Sequence, residues 1–81
     1  MAIFNIYVKC FKTHPDKLTT VLFETHSKLN SGLLLYDVYT LAREHFKDLL
    51  SSSNSGYILE LKVESKDDYI LGKTKIPSIK W

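Results

Sequence analysis

The sequence predicts an α+β fold of two layers in the order β-α-α-β-β: a three-stranded, largely antiparallel sheet with two helices packed on one of its faces. Residues 2–11 and 56–64 alternate apolar and polar side chains with the two-residue period of strands. Two stretches between them, 13–30 and 37–50, place apolar residues at helical spacing, and a turn after residue 64 leads into a returning strand.

In AIFNIYVKCF, Ala2, Phe4, Ile6, Val8 and Cys10 form one apolar row, while Ile3, Asn5, Tyr7, Lys9 and Phe11 form a mixed one. A strand with one dry face and one half-wet face belongs well inside an antiparallel sheet. THPDK then reads as a helix start, with Thr13 as N-cap, Pro15 in the first turn and Asp16 as the acidic partner three residues on. From there to Asn30, Leu18, Val21, Leu22 and Leu29 share a stripe, and Asn30-Ser31-Gly32 supplies a stop. LLLY, 33–36, reads as a short connector, Asp37 as a cap, and Val38, Leu41, Ala42, Phe46 and Leu49 as the apolar face of a second helix. SSSNSG, 51–56, is a loop by composition. The last two strands, GYILELKVE and YILGKTKI, flank a turn at Ser65-Lys66-Asp67-Asp68, with Gly72 a candidate bulge and Tyr57, Leu59, Leu61 and Val63 facing inward. Pro77 lacks a ladder donor, which makes 76–81 a candidate C-terminal tail on a single domain spanning 1–81.

Eighty-one residues allow one small core, and so small a domain gains from a partner, which makes a homodimer an expectation. Cys10 is the only cysteine, no apolar run reaches membrane-spanning length, and MAIFNIYVKC lacks a signal-peptide pattern; a cytoplasmic protein with no membrane contact is expected. The net charge is only +2, and Arg43 is the sole arginine among eleven basic residues. Because arginine's planar fork is what reads base edges, sequence-specific DNA recognition is disfavoured. Lysine in place of arginine, with abundant Ile, Asn and Tyr, also matches AT-rich coding, as in many phages and mobile elements.

On the helical wheel His45 falls between Leu41 and Val38, and His26 falls at the edge of its own arc near Leu22. With Cys10 on an apolar row, a Cys–His nucleophile suggests itself. In the two-helix architecture, however, rises of 1.5 Å per helical residue put His26 roughly 18 Å and His45 roughly 14 Å from the cysteine. The two histidines would instead face each other across the helix seam, and their protonation would loosen it as pH falls through the histidine range near 6.5. No phosphate-binding glycine loop, framed carboxylate pair or serine elbow occurs, so no enzyme, cofactor or metal is expected.

Aromatics and acids carry the remaining signal. Tyr7, Phe11, Tyr36 and Tyr39 are candidates for partly exposed positions, and Trp81 ends the chain, either covering the open sheet face or reaching a partner. Glu60, Glu64, Asp67 and Asp68 gather on the hairpin as a solvated edge or a phosphate-mimicking patch. The leading expectation is a small non-enzymatic protein-binding module, an inhibitor from a phage or mobile element that docks on a host defence or transcription protein. The alternative is a nucleic-acid-binding module whose sheet face presents Tyr7, Lys9, Phe11, Lys73 and Lys75.

Overall fold

The computed structural model describes residues 2–50 and 56–76. The chain runs β1 (Ala2–Thr13), β2 (Thr19–Ser31), α1 (Leu35–Leu49), β3 (Ile58–Glu64) and β4 (Tyr69–Lys75). It is an α+β fold, but with four antiparallel strands in the order β2-β1-β3-β4 and one helix, so the expected three-stranded sheet with two helices is overturned. The stretch expected as the first helix is β2, paired along its length with β1 from Ala2↔Ser31 to Thr13↔Thr19.

The reason lies in two local features. Thr19, Thr20, Val21 and Thr25 are β-branched and lose side-chain freedom in a helix, whereas Phe23, Thr25, Ser27 and Leu29 alternate with Glu24, His26 and Lys28 at the strand period. HPDK is the turn of a hairpin: His14 O accepts from Lys17 N at 2.9 Å, His14 N donates to Leu18 O at 2.8 Å, and Asp16 Oδ1 accepts from Leu18 N at 3.1 Å. Lys17 has φ +70°, the left-handed position that closes a three-residue hairpin loop and that glycine normally fills. Pro15 and Asp16 therefore serve a turn, and Thr13 caps no helix.

β1 lies at the centre, between β2 and β3, as its two-faced pattern requires, and its partner in the second hairpin is β3. Phe4, Ile6, Val8 and Cys10 are buried on its inner face with Leu59, Leu61 and Val63 of β3. Each such Leu or Val removed from water stabilises the fold by about 1.5–3 kcal/mol. The expected alternation in β3 and the turn at 65–68 are both present, the turn held by Ser65 N donating to Asp68 O at 2.8 Å. The one register shift falls between Cys10 and Phe11, where Leu22 is the extra residue of β2, and pairing at Gly72 is regular.

α1 lies over β3 and β4. It starts at Leu35 rather than after Asp37; Leu34 is the N-cap, makes no side-chain capping bond, and leaves Asp37 as the acidic residue of the first turn. Its inward stripe is Leu35, Val38, Tyr39, Ala42 and Phe46, while Leu41 and Leu49, expected inside, are exposed. Tyr39 is in the core at 7% exposure, and a Cβ added to Gly72 would overlap its hydroxyl. That glycine is thus a notch for the ring rather than a bulge. No helix among the described residues is long and apolar enough to cross a membrane. The serine loop 51–55 and the segment 77–81 lie outside the described residues.

Candidate interaction surface

Because α1 covers only one side, the opposite face of the sheet is built from the outward residues of all four strands. Strand register lines them up in rows. His26 of β2 pairs with Tyr7 of β1, Tyr7 with Lys62 of β3, and Lys62 with Leu71 of β4. The neighbouring row runs Glu24, Lys9, Glu60 and Lys73, and the row on the other side runs Lys28, Asn5, Glu64 and Tyr69.

At the centre Tyr7 and His26 stack with ring centroids 4.3 Å apart and planes within 7° of parallel. His26 Nε2 lies 3.4 Å from Asn5 Oδ1, which tethers the imidazole from the adjoining row. The Lys62 ammonium sits 5.7 Å from the Tyr7 ring centroid and 5.2 Å from that of Tyr69, so one cation bridges two aromatic faces. Tyr7 retains 38% exposure even so. A concavity of about 510 Å³ opens over these rings, lined by Tyr7, His26, Lys62, Leu71 and the flanking Glu24 and Glu60.

The face is polar but internally balanced. Lys9 is flanked by Glu24 and Glu60, Glu60 Oε2 lies 3.6 Å from Lys73 Nζ, and Glu64 Oε2 lies 3.4 Å from Lys62 Nζ. Such exposed pairs add little stability, but they fix where each charge sits.

Of the residues anticipated from sequence, Tyr7 and Phe11 lie on this face, as do Lys9, Lys73 and Lys75, with Phe11 aligned to Ile58 and Lys75. Glu64 also lies on it, at the foot of the hairpin. Asp67 and Asp68 lie beyond it in the turn, where Asp68 Oδ1 accepts from Tyr69 N at 2.8 Å. Tyr36 is exposed at the start of α1, on the other side of the sheet, and Tyr39 is not a surface residue at all. Trp81 lies outside the described residues. The anticipated set is therefore split between two sides of the sheet and the core. His26, Lys62, Tyr69 and Leu71 were missed as members of the site. The signal for His26 was the alternation of β2, and for the rest it was the outward parity of strands already recognised.

The expected seam between His26 and His45 does not exist, because His26 stacks on the helix-free face and His45 belongs to the helix on the other. Cys10 is wholly buried on the inner face, and loss of hydration raises its thiol pKa above the usual value. A thiol held neutral in this way is a poor nucleophile. No group of three or more metal-ligating side chains comes together among the described residues.

No protein-family model matches the chain, and no curated protein or solved structure shows a match to it.

Proposed function

We propose that the chain is a protein-docking module that engages its partner through the helix-free face of the sheet, centred on the stacked Tyr7 and His26 rings. The supporting observation is an exposed, preorganised aromatic pair within a concavity whose rim alternates in charge. Aromatic rings held in one orientation bury much area at low entropic cost, which is why they anchor protein interfaces. An alternating rim of Glu24, Lys9, Glu60 and Lys73 gives register and specificity toward a partner carrying the complementary pattern.

The same face holds the aromatic and lysine residues that a single-stranded nucleic acid would use. Glu24 and Glu60 on either side of Lys9 argue against it, since a phosphate backbone tracking that row would meet a carboxylate at every second position.

The two readings separate in one set of measurements on Tyr7→Ala/Lys62→Ala, a variant that removes the anchor without touching the core. Lysate from cells that carry the gene is passed over immobilised wild type and variant, both shown to be folded by circular dichroism. A protein retained by the wild type and lost from the variant is the expected outcome. Equal retention on both would move docking off this face. Binding to single-stranded DNA that falls steeply with salt, with no protein retained, would replace the proposal by the nucleic-acid reading.

A further inference from the structure

Among the described residues β2 is one of the two edges of the sheet, thirteen residues long, and all but Phe23 and Ser31 of its residues are exposed. Such an edge leaves a row of backbone donors and acceptors open to another strand, and proteins blunt it by shortness, proline, repelling lysines or a bulge, of which β2 has one, at Leu22 ahead of its regular stretch. β2 has neither shortness nor proline. Its two charged residues are of opposite sign, Glu24 and Lys28, placed symmetrically about His26 on the outer face. From Phe23 to Ser31 its pairing with β1 is regular, so the free edge there is regular as well.

We infer that β2 pairs with β2 of a second copy of this chain, antiparallel, about a two-fold axis through His26, giving a continuous eight-stranded sheet. A two-fold perpendicular to the sheet keeps outer side chains with outer ones, so each register can be read from the sequence. With the axis on His26, Glu24 faces Lys28 of the second copy and Lys28 faces its Glu24. Moving the axis one residue to Thr25 sets Glu24 against His26 and Lys28 against Leu22; moving it to Ser27 sets Glu24 against Asn30 and Lys28 against His26. A shift to Glu24 or to Lys28 stacks that charge on itself. One register therefore satisfies both charges, and it does so twice.

The helix side agrees. In the same register Phe23 meets Leu29 of the second copy, beside a groove of about 300 Å³ bounded by Ile6, Ser27, Leu29, Leu33, Leu41 and Phe46, where α1 leaves β2 uncovered. Phe23 already packs against Phe46, with ring centroids 6.2 Å apart. Apolar contact on one face and paired charges on the other fix the register from both sides. The inference does not depend on what the outer face docks.

Sedimentation of the purified full chain over the micromolar to millimolar range tests it, the expected result being a reversible monomer–dimer equilibrium. Glu24→Lys and Lys28→Glu should each weaken the dimer about tenfold or more, because each turns two attractive pairs into two repulsive ones. An equimolar mixture of the two variants should recover wild-type strength, since every lysine then faces a glutamate. Lys75→Glu, on the other edge strand, should leave the monomer–dimer equilibrium unchanged. A wild type that stays monomeric throughout overturns the inference, as does a dimer indifferent to both reversals or a mixture no tighter than either variant alone. If either variant fails to fold, Glu24→Gln and Lys28→Gln carry the test, with loss of the salt dependence of dimerisation as the expected reading.

Discussion

Cys10 shows how much a single residue's position settles. It stands on the apolar row of β1, is wholly buried, and its thiol pKa is raised by desolvation above the ordinary value of 9.0. In the pH range between the unfolded and folded values, the native state keeps a proton that the unfolded chain has lost. Its contribution to stability is therefore complete below about pH 9 and declines as pH rises through the folded value. Urea denaturation of wild type and Cys10→Ala between pH 7 and 10.5 should show a steeper loss in the wild type, and equal slopes would mean the thiol is not desolvated. The burial was legible, because a small apolar side chain on an apolar strand row goes inside. His26 was not, because a helical wheel applied to a strand assigns faces at the wrong period, 100° in place of 180° per residue, and His45, on a true helix, is exposed beside Phe46 rather than inside the apolar arc.

Elements were legible where pattern and punctuation agreed. β1, β3, β4 and most of α1 follow from alternation or helical spacing, whereas β2 was hidden because HPDK satisfies a helix N-terminus and a hairpin turn equally well in sequence. A glycine at position 17 would have decided it. The lysine there holds φ +70° at a cost of about 1 kcal/mol, so Lys17→Gly should raise stability by about 0.5–1 kcal/mol despite the added freedom of the unfolded chain. Lys17→Ala, which lacks the same relief, should not, and chemical denaturation distinguishes the two. The start of α1 offers a second test. Leu34 is an exposed N-cap with extended backbone, φ −73° and ψ 154°, and no capping side chain. Leu34→Asp places an acceptor over the first amide groups and an anion at the positive helix end, worth about 1 kcal/mol. A midpoint rise of about 4–8 °C is expected for a domain of this size. No rise would mean that the leucine packs in a way its exposure hides.

At the scale of the molecule, one helix cannot cover four strands. α1 lies over β3 and β4 and reaches β2 only through Phe46 against Phe23, so that among the described residues the inner face of β2 is half open and the outer face of the sheet carries no covering element. This also explains why the candidate surface was only partly legible. Tyr7, Lys9, Phe11, Lys73 and Lys75 were placed on one sheet face from parity alone, but the ring that completes the stack belongs to the strand that was read as a helix. Uneven cover predicts uneven local stability, because a strand buried on one side by a packed layer opens only with the core, whereas an edge with little packed against it opens alone. Amide exchange on dilute protein should therefore be slowest in β1 and β3, at the free energy of global unfolding, and faster in β2 by several powers of ten. Within β2 every second amide points away from β1, and those are bonded only to water in the monomer. Raising the concentration into the range where β2 pairs with its copy should slow those outward amides selectively, in the segment about His26, while β4 exchanges as before. Slowing at β4 instead would put association on the other edge; concentration-independent exchange at both edges would mean that the uncovered strand is kept ordered by the β1 ladder alone.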